Sequence, residues 1–157
     1  MRAMNPNSPL ILDEESPADV LAALPSAGVE ISRLIGLPAA LALIRDFGGQ
    51  TMVFPLSKNG PGADKFRAIS ASIGDDAVTL LARHFGGENT YIPRAAKALR
   101  MLRNISLIRD FDVLSETLSS YRAINELSCR YRLTSRTIEQ VVNGKPQSRR
   151  VHRRVNA

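Results

Sequence analysis

Apolar residues recur every three or four positions along most of this chain, the period of helices with one buried face. Twice the pattern gives way to a short run of β-favouring residues. Ser16-Pro17-Ala18-Asp19 predicts a first helix, with an N-cap, a proline in the first turn and an acid at N3. That helix carries Val20, Leu21 and Leu24 and stops before Pro25. A second, short helix is expected from Ala27 to Ile35. Residues 1–16 contain prolines, asparagines and the acidic step Asp13-Glu14-Glu15, and read as a flexible lead-in.

An internal repeat then dominates the organisation. Residues 35–55, IGLPAALALIRDFGGQTMVFP, align without gaps on residues 73–93, IGDDAVTLLARHFGGENTYIP, at an offset of 38. Nine of the twenty-one pairs are identical, Gly36/Gly74, Leu43/Leu81, Phe47/Phe85 and Pro55/Pro93 among them, too many for chance without low complexity. Each copy predicts a helix after its first glycine, starting at Pro38 in one and behind Asp75 as N-cap in the other. Phe-Gly-Gly ends each helix, since glycine accepts the left-handed C′ position. A strand follows: Thr51, Met52, Val53 and Phe54 in one copy, Asn89, Thr90, Tyr91 and Ile92 in the other. Proline then removes a ladder donor and ends it. So short a strand needs a partner, so the copies pair either within one chain or across a dimer. Leu43, Ile44, Phe47, Val78, Leu81 and Phe85 are core candidates. Between the copies lies the turn-rich loop Lys58-Asn59-Gly60-Pro61-Gly62, then a helix with Phe66, Ile69 and Ile73 on one face.

Arg94 to Phe111 reads as a basic amphipathic helix. Leu99, Leu102, Ile105 and Ile108 form one face, and Arg94, Lys97, Arg100 and Arg103 drift around the other. Asp112 to Tyr121 connects it to INELSCRYRLTSRTIEQVVN, residues 124–143. There, Tyr131, Leu133, Ile138 and Val141 follow Leu127 at +4, +6, +11 and +14. This is the spacing of a helix-turn-helix: Leu127 and the small Ser128 lie where a second helix crosses, and apolar residues flank the turn. Thr134 falls at the second helix's N-cap. Ser135, Arg136, Thr137, Gln140 and Asn143 remain on its outer face, able to reach base edges and phosphates. Arg132 occupies a turn position often held by glycine, so it must take an unusual φ or reshape the turn. Gly144 and Pro146 stop the helix.

Charge sharpens this picture. Net charge is +6. Residues 1–93 hold seven basic and ten acidic residues, and residues 94–157 hold fourteen and five. The basic half is the one with the helix-turn-helix, as expected if one end faces a polyanion and the other faces protein. Lys145, Arg149 and Arg150 in or beside the tail add sequence-independent attraction for phosphate, and Arg132 and Thr134 join the candidate DNA contacts.

Enzyme chemistry finds little support. His84 and His152 are the two histidines, Cys129 is the single cysteine, and no cluster has metal-ligand spacing, so no cofactor, metal or catalytic set is expected. Cys129 reads as small packing in the first helix of the motif. Gly60, Gly62 and Lys65 match a G-x-G-x-x-K pattern, but the full phosphate-loop spacing is missing. No apolar run reaches membrane-span length and no signal peptide is evident, which implies a cytoplasmic protein.

Two motifs in order carry a resemblance. Helix, FGG, Tyr91-Ile92-Pro93-Arg94, basic helix and then Leu127 to Thr134 resemble the Mor/C transcription activators of Mu-like phages. The resemblance covers residues 75–143, and residues 35–55 look like an extra copy of the family's helix–strand unit. It implies a dimer with strands paired between subunits, double-stranded DNA bound at an imperfect inverted repeat, and recruitment of host RNA polymerase. It places Tyr91, Ile92 and Pro93 in the dimer strand and Ser135, Arg136, Thr137 and Gln140 at recognition positions.

The expected fold is therefore mainly α with short β-strands: a duplicated helix–FGG–strand unit followed by a C-terminal helix-turn-helix. Residues 17–111 form the association domain, 112–146 the DNA-binding domain and 147–157 a basic tail. The expected function is sequence-specific transcription regulation as a homodimer or an internal pseudo-dimer. The alternatives are a DNA-associated assembly module without strong sequence preference, or a repressor of the same fold.

Overall fold

Glycine and proline punctuate this chain so regularly that most of its helices are short. A computed structural model describes residues 17–144. The chain divides into two compact units, with the boundary between Leu102 and Arg103.

In the first unit, α1 (Pro17–Ala22), α2 (Ser26–Ile35) and α3 (Leu37–Phe47) lead into β1 (Thr51–Met52). Next come α4 (Ala63–Ile73), α5 (Asp75–Phe85) and β2 (Thr90–Tyr91). Gly36 ends α2 and begins α3 at φ 86° and ψ 155°, and Gly74 ends α4 and begins α5 at φ 87° and ψ 159°. Only glycine adopts such angles without strain, so these two residues set the same sharp corner twice. Their N–H groups donate to the carbonyls of Ser32 and Ser70.

Other backbone bonds recur at the same offset. Ala40 and Val78 donate to Gly36 and Gly74, Gly48 and Gly86 to Ile44 and Ala82, and Gln50 and Glu88 to Phe47 and Phe85. The buried positions match as well: Ile31 with Ile69, Ala40 with Val78, Leu43 with Leu81 and Phe54 with Ile92. Within each copy, α2 packs on α3 and α4 on α5; between copies, α3 packs on α4 and α2 on α5. β1 and β2 pair antiparallel, Thr51 opposite Tyr91 and Met52 opposite Thr90.

Several local expectations are corrected. Gly74, not Asp75, is the N-cap of α5; Asp75 is its first residue, and its carboxylate accepts from Lys58 and Ser70 instead. The first copy's helix begins at Leu37, one residue before Pro38, which sits in the first turn where its missing N–H costs nothing. Gly86 takes the left-handed conformation, whereas Gly48 does not (φ −56°) and Gly49 carries the positive φ. The strands have two residues each, not four. Phe54 and Ile92 lie beyond the ladder and are almost wholly buried. The Ile92 backbone bonds with Gly49 and Gln50, at 2.7 and 2.9 Å. Phe47 and Phe85 are half-buried; Phe54 takes the core position and stacks on Phe85 with centroids 5.9 Å apart.

α6 (Ala96–Leu114) begins in the first unit and ends in the second, which also holds α7 (Ser120–Tyr131) and α8 (Ser135–Asn143). Ala95 at φ 45° delays the start of α6, so Arg94 precedes it and does not open it. Its buried positions are Ala98 and Leu102 and then Leu107, so the inner face changes register at the unit boundary. Leu99, Ile105 and Ile108, expected on one buried face, are half-buried. α7 begins earlier than the motif pattern implied, at a cap where the Ser119 hydroxyl accepts the Arg122 N–H at 3.4 Å. Leu107, Leu127 and Ile138 form the fully buried centre of this unit, with Phe111, Leu114, Ile124, Tyr131, Leu133, Val141 and Val142 around it.

Candidate functional site

The second unit orients one helix face with unusual economy. Leu127 of α7 and Ile138 of α8 are fully buried against Leu107, which fixes how α8 lies on α7. Between them Arg132 sits at φ 52° and ψ 46°, left-handed, and its N–H and that of Leu133 both reach the Ser128 carbonyl. This closes α7 as a glycine would, at a steric cost of about 1 kcal/mol for a residue with a Cβ. Leu133 is half-buried beside the same cluster, so one apolar residue stands on each side of the turn, Tyr131 and Leu133.

The next residue begins α8. The Thr134 hydroxyl accepts the Thr137 N–H at 3.2 Å and lies 2.8 Å from the Thr137 hydroxyl. The Ser135 hydroxyl lies 3.3 Å from that of Ser128 on α7, where the small residue at the crossing was expected. Thr134, Ser135 and Thr137 are therefore tied to the scaffold even where exposed. Arg136, Gln140 and Asn143 are exposed, and so is Glu139, which the sequence reading passed over. Its signal was its place, three residues after Arg136 and one before Gln140 on the same helix. Among the described residues the side chains of Arg136, Glu139, Gln140 and Asn143 make no hydrogen bond or ion pair. Arg132 is exposed beside them.

Behind this face the charges are paired. Tyr131 donates its hydroxyl to Asp110 of α6 at 2.9 Å, and Arg130 reaches Asp110 at 3.3 Å and Glu126 at 2.8 Å. Burial, and then the Asp110 carboxylate, push the Tyr131 phenol well above its usual range, so it stays a donor. The network fastens α6 to the end of α7, one residue before the turn.

The remaining candidates are distributed as follows. Thr51, Met52, Thr90 and Tyr91 make the ladder; Val53 is half-buried and Asn89 exposed at its ends. Cys129 is exposed on α7, not packed, because the crossing falls on Ser128 one residue earlier. Gly60 and Gly62 have positive φ in a loop where Gly62 starts α4, and Lys65 is exposed. Lys145, Arg149 and Arg150 lie outside the described residues, as do residues 1–16 and the rest of the tail. Residues 103–144 hold six basic and five acidic residues, so the basic character of the C-terminal half comes from residues 94–100 and 145–157. Among the described residues no group of three or more His, Cys, Asp or Glu is placed to hold a metal, and no helix is long and apolar enough to cross a membrane.

Comparison with known proteins gives one result. Residues 62–156 match the model of the Mor transcription activator family. That stretch is more than half of the chain and includes α4 to α8 with β2, whereas α2, α3 and β1 precede it. No curated protein and no solved structure matches.

Proposed function

This chain belongs to the Mor transcription activator family, and we propose that it is a sequence-specific DNA-binding activator of phage or prophage genes, with α7 and α8 as its helix-turn-helix. The family is one of transcription regulators and not of enzymes. The observation that carries the finer reading is the outward face of α8. Arg136, Glu139, Gln140 and Asn143 are exposed there, their side chains unpaired among the described residues, on a helix held by Leu127, Ile138 and the Thr134 cap.

The chemistry suits base edges in the major groove. Arg136 offers a bidentate donor to guanine, Gln140 and Asn143 match adenine's donor–acceptor pair, and Glu139 accepts from the cytosine amino group. Ser135, Thr137, Thr134 and Arg132 lie at the helix start, where backbone N–H groups and hydroxyls meet phosphates. Lys145, Arg149 and Arg150 add attraction that does not depend on sequence. In this reading the protein works in the bacterial cytoplasm, on double-stranded DNA, and contacts host RNA polymerase. The paired strands of the first unit favour internal closure over strand pairing between two chains.

Selection of random duplexes by the purified protein at near-physiological salt tests this. Enrichment of a defined motif is expected. Binding without enrichment that vanishes as salt rises overturns it in favour of an assembly module.

A further inference from the structure

We propose that residues 26–93 are a single-chain dimer: two helix–helix–strand units related by an internal two-fold axis, with β1 and β2 closing on each other so that no second copy is needed to complete the ladder. The strand register is the first support. A two-fold axis through an antiparallel pair exchanges the strands, so the residue on the axis must face its own equivalent. Met52 and Thr90 are equivalent at the offset of 38, and they are the residues that face each other. The next rung follows the same rule: Thr51 faces Tyr91, the equivalent of Val53. A slip of one residue would destroy this relation and also move each strand's inner face outward.

The helices obey the same symmetry. α2 packs on α5 and α4 on α3, which are one contact seen from the two copies. Each of these contacts has its own polar link: Glu30 to His84 at 3.1 Å, and Ser72 to Asp46 at 2.6 Å. His84 and Asp46 are equivalent positions that have kept a cross-copy role while changing chemistry. The likeness also extends upstream of the alignment read from sequence, through Ile31/Ile69 and Ser32/Ser70 on α2 and α4. Finally, residues 62–156, the family-matched stretch, contain β2 but not β1. The strand that completes β2 here comes from the chain's own additional unit.

The consequence concerns DNA. An interface between two identical units normally brings two recognition helices, one per chain. A single-chain dimer completes that interface with one α8. Such a protein binds one asymmetric half-site, and two chains on an inverted repeat must associate through surfaces other than the ladder. The internal ladder closes whatever α8 binds.

The test places cysteines on facing positions in the full chain with Cys129→Ser. Thr51→Cys with Tyr91→Cys is the main pair, since both residues are exposed and the core is untouched. Facing residues in an antiparallel pair lie about 4.5–5.5 Å apart at Cα, within reach of a disulfide. Oxidation is expected to give a crosslinked species with the mass of one chain at every protein concentration. Mixing the two single-cysteine chains is expected to give no disulfide heterodimer between positions 51 and 91. A covalent dimer linked at those positions overturns the proposal. So does failure to crosslink in both this pair and the Met52→Cys/Thr90→Cys pair.

Discussion

Helices α5 and α8 each bury an apolar face and turn a polar one outward, yet they use their polar residues differently. On α5, Asp75 is held by Lys58 and Ser70, Thr79 bonds back to the Asp75 carbonyl at 2.9 Å, and His84 reaches Glu30 at 3.1 Å. Asp75 is thus tied to α4 and the preceding loop, Thr79 to its own helix, and His84 across to α2. On α8 the hydroxyls of Thr134, Thr137 and Ser135 are tied down, and among the described residues the side chains of Arg136, Glu139, Gln140 and Asn143 have no hydrogen-bond or ion-pair partner. Folding accounts for Asp75, Thr79 and His84 on α5. It does not account for an arginine, a glutamate, a glutamine and an asparagine on α8, since water would satisfy many other choices equally well.

The severest way to break this comparison is to loosen α8 from its seat. Ile138→Ala removes a fully buried side chain at the centre of a small cluster and should cost about 2–5 kcal/mol. Amide exchange should accelerate across α7 and α8 while protection in α3 and α5 persists, and DNA binding should vanish. Leu81→Ala, at an equally buried position in the first unit, should reverse that exchange pattern. Uniform loss of protection in both variants would show that the two regions unfold as one.

Changes on the faces themselves sharpen the contrast. Arg136→Ala should leave thermal stability within about 0.5 kcal/mol and weaken specific DNA binding by about 1–3 kcal/mol. Glu139→Gln should do something different. A carboxylate repels the phosphate backbone unless a base donor meets it, so its removal should strengthen binding to random duplex and shrink the preference for the selected site. His84→Ala on α5 breaks an exposed pair, should cost under about 1 kcal/mol of stability, and should leave both DNA affinities alone. Equal DNA defects from His84→Ala and Arg136→Ala would erase the distinction between the helices.

How far the sequence disclosed these features depended on whether a residue's neighbours in space were also its neighbours in sequence. The Thr134 cap is local, and one sequence sufficed for it; at Arg132 sequence left an unusual φ or a reshaped turn open, and at Gly74 the neighbouring Asp75 looked like the cap. The recurrence of glycines and apolar residues at one offset was legible as well. The partner of each strand was not, since Thr51 to Phe54 suits an internal and an external strand alike. Leu107 was missed because Leu99, Leu102, Ile105 and Ile108 make a continuous stripe, while α6 serves two units with different inner faces. Glu139 was not legible as a contact because a carboxylate opposes attraction to phosphate, although base edges offer donors that an acceptor can meet.

Behind α8, the hydroxyl of Tyr131 provides a smaller test. Tyr131→Phe leaves the ring in the cluster and deprives Asp110 of a donor, at a cost of about 1 kcal/mol. The pH dependence has a definite sign. The folded phenol titrates above its unfolded value, so its contribution is complete below the ordinary tyrosine range and is lost as pH rises through the folded value. Wild-type protein should therefore lose stability at strongly alkaline pH more steeply than Tyr131→Phe does. Parallel alkaline profiles for the two would remove the hydrogen bond from the account of how α7 is fastened.

The smallest effect expected separates stability from recognition most cleanly. Arg132 adopts φ 52° with a Cβ in place, and its side chain is exposed without an ion pair among the described residues. Arg132→Gly relieves the left-handed strain but gives the unfolded chain more freedom, so the net gain in stability should be about 0.5 kcal/mol. If the guanidinium serves only the turn, DNA affinity should be unchanged or slightly better. If it meets a phosphate beside α8, affinity should fall for all sequences alike, and the salt dependence should flatten by about one counterion. The second result is expected, since a turn stabilised by replacing its arginine has no folding reason to keep one. A more stable variant that binds DNA more weakly would assign Arg132 to the α8 surface. A more stable variant with unchanged salt dependence would return it to the scaffold.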